Sequence, residues 1–474
     1  MPENDTLLDI DKLKELLTDV NKLELSSPHN IIKIKWPIYQ FRDNGWEWSY
    51  KNVLVRSANY KLIYEPVSHK LVDFLNTYVT PELANNEKEK YTLYHNLVSI
   101  LFDEFDNNQF KRAVENKNAD EPCDMREKEL QDVLESQVEL CLYKIQNLNK
   151  VKLISTLCPI EMNNIDELIF FQTENLNVKI RKWNKTERAV FASQNAHNAT
   201  YASDNYDSKS PMYTESFVEI EYTFYKDEYR GIGDKKLQQY LFRILDLIKW
   251  AIMVLSNNPY PIREGTGIIN TCNPRQRDII KRDPKLCTLL SDHSSNFVVK
   301  PEIRDKLRDL IDDYSNTLNE YNNLDYILGF FGRACLDDLD RDRLIDSVIG
   351  LEIILVQSHE QLGYQFRLHG ATILSTQWDE NKISLFEGEH ELFWKKEELV
   401  NWFKKLYNKR STSVHGANSE YAENEVLSTL YALAVVIKGF VYLHKKGLLH
   451  DDDHEVSKAV GNYIIDKSVL KNVD

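Results

Sequence analysis

Two residues near the end of the chain carry side chains suited to phosphodiester chemistry, at a spacing that lets one helix present both. They are Arg410 and His415, in the run Leu399-Val400-Asn401-Trp402-Phe403-Lys404-Lys405-Leu406-Tyr407-Asn408-Lys409-Arg410-Ser411-Thr412-Ser413-Val414-His415-Gly416. An imidazole titrates near neutrality, so His415 can take or give a proton at physiological pH. A guanidinium stays charged and forks onto a phosphate, where it can hold developing negative charge. Leu399, Phe403 and Leu406 form an apolar stripe. Position 410 lies eleven residues past 399 and so, at about 100° per residue, falls within about 20° of that stripe. The helix then reaches His415 just before a Gly416 stop, so both groups point toward something. A spacing this short recurs by chance in unrelated chains, and its surroundings must carry the argument.

The charge balance gives the first context. A net charge of −15 over 474 residues excludes a globally basic nucleic-acid binder, and any phosphate contact must come from locally concentrated cations. One stretch concentrates them: Lys395, Lys396, Lys404, Lys405, Lys409 and Arg410 lie within sixteen residues. Lys404, Lys405 and Lys409 are the candidate RNA contacts, and a merely solvated helix face is the alternative reading of the same run.

The elements around this segment follow from hydrophobic periodicity. Residues 6–23 read as a short amphipathic helix. Ile32, Ile34 and Trp36 alternate with lysines, and Asp43-Asn44-Gly45 before Trp46, Trp48 and Tyr50 signals a hairpin. Alternation around Tyr60–Tyr64 repeats the strand pattern, helices are expected over 85–115 and 126–147, and strands over 151–157, 167–172, 176–182 and 188–193. A polar stretch, 194–215, reads as a loop before a half-buried strand around Val218–Phe224. From Asp234 the pattern turns helical, followed by a Pro/Gly-rich connector. Beyond Pro301 helices are expected at 302–320, 323–336, 340–358, 360–376, 395–414 and 420–446. The fold class is therefore α+β: a mixed α/β region over 1–230, a helical bridge over 231–300 and an all-α bundle over 301–474.

Within that bundle the blocks around the Arg/His pair resemble the Apea-like branch of the HEPN ribonucleases. Arg410-Ser411-Thr412-Ser413-Val414-His415 fits the family's R-x4-6-H signature. Arg343-Leu344-Ile345-Asp346-Ser347-Val348-Ile349-Gly350-Leu351-Glu352 resembles its first core helix, and Tyr364-Gln365-Phe366-Arg367-Leu368 resembles the next. The likeness covers about 340–445, roughly a quarter of the chain. It implies a homodimer in which two R-x4-6-H motifs meet. Five residues on a helix separate Arg410 and His415 by about 140° and about 7.5 Å, so one copy converges poorly on one phosphate, while two copies across a two-fold axis could build a joint site. It also implies attack by the RNA's own 2′-OH, leaving a 2′,3′-cyclic phosphate and a 5′-OH without a metal or other cofactor. His415 would be general acid or base and Arg410 would stabilise the phosphorane. Many members place Asn, Asp or His directly after the arginine, and here Ser411 stands there.

Glu352 interrupts an otherwise apolar helix. It is either an internal ion-pair partner of the bundle or the residue that orients Arg410 or His415. Asp346 and Arg367 read as structural. By resemblance the chain belongs with anti-phage abortive-infection or toxin-like proteins. It would be held quiet by its N-terminal region until a phage-derived activator releases it, and would then cut RNA, tRNA among the candidates. The alternative is a non-catalytic HEPN-fold module that binds RNA or nucleotide, dimerises and regulates a partner.

Other patterns carry less. Cys123, Cys141, Cys158, Cys272, Cys287 and Cys335 form no CxxC pair, which speaks against a zinc ribbon or disulfide framework and fits a reducing cytoplasm. No apolar run approaches the length of a membrane span, and the acidic N-terminus is not a secretory signal. His450-Asp451-Asp452-Asp453-His454 reads as a solvated tail rather than a metal cluster.

Overall fold

A computed structural model of the chain describes residues 9–26, 31–42, 45–56, 150–158, 160–162, 166–182, 216–223, 235–257, 263–271, 277–280, 297–299, 301–336, 340–357, 360–377, 385–387, 390–392, 396–414, 422–449 and 454–470, with isolated positions at 70, 74, 113–115 and 138. The strands expected near 60–64 and 188–193 lie outside the described residues, as do nearly all of the helices expected over 85–115 and 126–147.

The described residues mix helices with small sheets, so the chain is α+β. Helix α1 (Ile10–Ser26) precedes a hairpin of β1 (Ile31–Arg42) and β2 (Gly45–Arg56). Its register runs from Ile31 opposite Arg56 to Arg42 opposite Gly45, the antiparallel pairing that the hairpin signal predicts.

Strands β3 (Lys150–Cys158), β4 (Ile160–Met162), β5 (Glu167–Gln172), β6 (Leu176–Lys182) and β7 (Ser216–Thr223) come next. Helix α2 (Lys235–Ser256) follows, and then β8 (Arg263–Thr271), β9 (Arg277–Ile280) and β10 (Phe297–Val299). Six of these strands make one antiparallel sheet in the order β5-β6-β7-β3-β8-β9, while β10 pairs in parallel with β4. Alternation decides its faces: Leu168, Phe170, Val178, Ile180, Val218 and Ile220 are buried in the main core. On the other face Glu219 is buried between Arg181, at 3.3 Å, and Lys179, at 3.8 Å, the cross-strand cations its burial demands.

Residues 231–300 are thus not helical throughout. The helical expectation describes Lys235–Ser256, but Arg263–Thr271 and Arg277–Ile280 are strands of the sheet. Glycines at 265 and 267 hid the strand pattern, and pairing with β3 supplies what the local sequence does not. Nor does α2 bridge two bodies, because it is a core helix. Leu241, Leu245, Ile248, Ala251, Ile252 and Met253 are buried, and the Trp250 indole donates to the Ala434 carbonyl at 2.8 Å. A division at residue 300 would cut through this packing. Trp250→Phe removes that buried donor and some volume, and is expected to lower the unfolding free energy by about 1–3 kcal/mol, measured by urea titration.

The remaining helices are α3 (Pro301–Glu320), α4 (Asn323–Leu336), α5 (Asp340–Leu355), α6 (Leu362–Thr376), α7 (Lys396–Val414), α8 (Glu423–Lys445) and α9 (Val456–Leu470). All six helices expected after Pro301 agree within three residues at each end, and α7 within one. Helix α8 is apolar all round because it runs through the centre. Among the described residues it alone is long and apolar enough to cross a membrane, and 89% of its apolar window is buried inside the protein.

Beyond Pro301 a hairpin and a last helix were not expected. A short hairpin of β11 (Leu385–Glu387) and β12 (His390–Leu392) is tied to α7 and α8. The Phe386 amide donates to Ser428 Oγ at 2.9 Å, and the Trp402 indole donates to the Phe386 carbonyl at 3.1 Å. The stretch expected to be a solvated tail leads into α9, whose Val456, Ala459 and Val460 are fully buried. Helix α9 lies so close to the end of α5 that a Cβ on Gly461 would stand 2.4 Å from the Gln357 side-chain oxygen.

Candidate functional site

Helix α7 is fixed by its apolar stripe. Leu399, Trp402, Phe403 and Leu406 are buried, and Phe403 sits so tightly on α6 that a Cβ on Gly370 would meet its ring at 2.6 Å. Phe366 of α6 packs edge-on against Phe403 and tilted against Tyr407. These contacts set the rotation of α7, and that rotation sends its next stripe position, Arg410, inward toward α5.

There Arg410 meets Glu352. The guanidinium Nη2 lies 3.2 Å from the carboxylate Oε2. The side chains are 29% and 22% exposed, so the pair sits at the edge of the bundle, partly screened but open on one side. Arg410 Nε is buried and has no hydrogen-bond partner among the described residues. Among the described residues the guanidinium is thus held by one carboxylate and has a further donor without a partner, where a buried donor ordinarily has one. Ser411 is half-buried. His415 directly follows Val414, the last residue of α7, and lies outside the described residues.

Burial pushes the Glu352 carboxyl above its ordinary range, and the Arg410 charge pulls the other way without cancelling it. The sign of the pH effect follows. A carboxyl whose folded pKa is raised contributes most to stability below its unfolded pKa, and that contribution is lost as pH rises through the folded value. Glu352→Gln, which cannot ionise, is therefore expected to unfold at higher denaturant than wild type at neutral pH. The difference should vanish as pH falls below the ordinary carboxylate range. Urea midpoints at acid and neutral pH measure it; a variant less stable at neutral pH would mean that pairing with Arg410 outweighs burial.

The candidate cations divide. Lys404 and Lys405 are exposed. Lys409 is half-buried and pairs with Glu425 at the start of α8, so it does not face outward as an RNA contact. No sequence signal joins Lys409 to Glu425, because the partner belongs to another helix. Asp346 pairs with Arg333 at 2.9 Å, and Arg367 lies over the Tyr364 ring at 5.4 Å.

His369 is the buried imidazole nearest these helices in sequence. Its Nδ1–H donates to the Leu355 carbonyl at 2.6 Å, and burial lowers its pKa below the ordinary value, the hydrogen bond opposing. It therefore stays neutral and joins α6 to the end of α5. Among the described residues no three His, Cys, Asp or Glu side chains group as metal ligands would.

The chain has no significant match to a family model, to a curated protein or to a solved structure.

Proposed function

We propose that the chain is an endoribonuclease of the HEPN type, working without a metal through Arg410 and His415 and acting as a homodimer. The observation that carries the reading is the placement of Arg410. It ends the buried stripe of α7, pairs with Glu352 and has a buried Nε–H with no partner among the described residues. The resemblance of 340–445 to the Apea-like branch and the exposed Lys404 and Lys405 alongside support it.

The chemistry divides between the two groups. His415 as base takes the proton from the RNA 2′-OH, whose oxygen forms a bond to the adjacent phosphorus. The bond from phosphorus to the 5′-oxygen breaks, and that oxygen leaves with a proton given by the second, protonated imidazole of the dimer, while His415 keeps the proton it took and later returns it to water. Arg410 donates to the non-bridging oxygens as charge builds on them. Glu352 holds the guanidinium plane in place, which limits the orientational freedom lost on reaching the transition state. Glu352 is therefore a positioning residue. Two copies bring two such motifs to one phosphate across a two-fold axis.

In this reading the N-terminal region regulates an anti-phage or toxin-like activity, with tRNA among the candidate substrates and a phage-derived molecule as activator. Expression of wild type is expected to arrest growth once phage infects, and an Arg410→Ala/His415→Ala chain that remains dimeric is expected not to. Growth arrest by both chains would sink the assignment.

The second reading, a non-catalytic module that binds RNA or nucleotide and regulates a partner, draws on the internal pairing of Lys409 with Glu425 and of Arg410 with Glu352. Both pairs spend positive charge inside the protein. That reading predicts no growth arrest, and loss of partner contact only when the fold or the dimer is disturbed.

A further inference from the structure

The last two turns of α7 lack the packing that fixes the rest of the helix. Its buried stripe runs to Leu406, and from Tyr407 to Thr412 no side chain is fully buried. The run Ser411-Thr412-Ser413-Val414 has weak helical preference, because hydroxyls compete for the backbone and β-branched side chains lose rotamer freedom. Thr412 Oγ1 donates back to the Asn408 carbonyl at 2.9 Å, a bond that bends a helix more than it anchors one. No basic residue stands in the last turn to complement the helix dipole.

Two ion pairs reach these turns instead. Arg410 meets Glu352 of α5, and Lys409 meets Glu425 in the first turn of α8. Adjacent residues stand about 100° apart round a helix, so the two pairs act along different directions. One pair alone lets the end of α7 roll about it, whereas two fix its rotation. The anchors are themselves fixed. Glu425 is buried, where a carboxylate needs its cation. A Cβ on Gly350 of α5 would stand 2.9 Å from the Leu433 side chain of α8, so the helices carrying Glu352 and Glu425 are packed tightly on each other.

We infer that Lys409 and Glu425 are positioning residues for Arg410: their pair holds the end of α7 at the rotation that aims the guanidinium at the scissile phosphate. The inference rests on the ribonuclease reading and extends it to a pair that touches no reacting atom. Glu425 acts on the chemistry only through Lys409 and the backbone of α7. The competing role for Lys409, a contact to the RNA backbone, predicts the opposite sign. Removing Glu425 would then release the lysine toward RNA and tighten binding.

The test uses full chains purified from phage-infected cells: wild type, Glu425→Gln, Arg410→Ala and the Arg410→Ala/Glu425→Gln double variant, each assayed well below its melting temperature. Glu425→Gln is expected to lower kcat for RNA cleavage about tenfold or more with KM little changed, the cost of a misplaced charge. In the Arg410→Ala background the same change is expected to cost almost nothing, because the group it positions is already gone. Lys409→Met should behave as Glu425→Gln does, and Lys409→Arg, which keeps the charge, should retain most of the rate. Hydrogen exchange gives a readout free of catalysis: amides of residues 410–414 are expected to exchange about tenfold faster in Glu425→Gln, with the first half of α7 unchanged. Faster cleavage or tighter RNA binding in Glu425→Gln would overturn the inference, as would an equal cost in both backgrounds or unchanged exchange at 410–414. Wild type that cuts no RNA would fail the ribonuclease reading, and the hold of this pair on α7 would then stand or fall on the exchange result.

Discussion

His415→Ala is expected to slow RNA cleavage by the purified chain about 10²–10⁴-fold, the usual contribution of a positioned proton-transfer group. Arg410→Ala is expected to cost a similar factor by a different route, because it removes the donor that holds the phosphate in the ground state and holds it more strongly as the phosphorane forms. The two can be told apart. An RNA with a 2′-deoxy sugar at the scissile position cannot react, so its binding reports ground-state contacts alone. His415→Ala should bind it as wild type does, whereas Arg410→Ala should bind it more weakly. Arg410→Lys keeps the charge but loses the fork, and the pair with Glu352, 3.2 Å from guanidinium to carboxylate, no longer fixes a plane. It should fall nearer to alanine than to wild type. Activity in His415→Ala within threefold of wild type would remove this histidine from the mechanism.

Lys249→Met is expected to be the most destabilising single change, about 3–5 kcal/mol by urea unfolding, the usual loss on breaking a buried ion pair from one side. Lys249 and Asp246 are both fully buried on α2, 3.0 Å apart. Arg243 approaches the same aspartate at 3.5 Å and reaches Asp325 of α4 at 3.5 Å. Helix α4 admits this charge row only because it turns glycines toward it. A Cβ on Gly332 would stand 2.2 Å from the Asp246 carboxylate, and one on Gly329 would stand 2.1 Å from the Arg243 guanidinium. Replacing both buried partners, Asp246→Leu with Lys249→Met, should cost less than the lysine change alone, because no charge is then left without its partner. A double variant no more stable than Lys249→Met would show that the pair is not the source of the loss.

Much of the helical half was legible because its signals are local. The stripe of Leu399, Phe403 and Leu406 gave both the helix and the inward direction of Arg410, and the lone carboxylate of the apolar segment Val348–Val356 marked Glu352 as a residue needing a partner. What escaped depends on distant segments. Arg263–Thr271 contains two glycines and little alternation, and it is a strand because β3 pairs with it. Leu385–Glu387 is held by Ser428 and Trp402. Helix α9, with Gly461 and several β-branched residues in its interior, has weak intrinsic helical preference and forms against α5. The pairing that turns Lys409 inward joins two helices across the bundle, and nothing near either residue announces it.

The most direct test of the central claim is the chemistry of the RNA ends. Wild type and the Arg410→Ala/His415→Ala chain, each purified from phage-infected cells so that the activator has acted, would be incubated with total tRNA and EDTA, and the products resolved and their termini mapped. Fragments from wild type alone, carrying 2′,3′-cyclic phosphate and 5′-OH ends, are the predicted result. Intact RNA from wild type under conditions where it is dimeric and folded, fragments of equal yield from both proteins, or 3′-OH ends would contradict it.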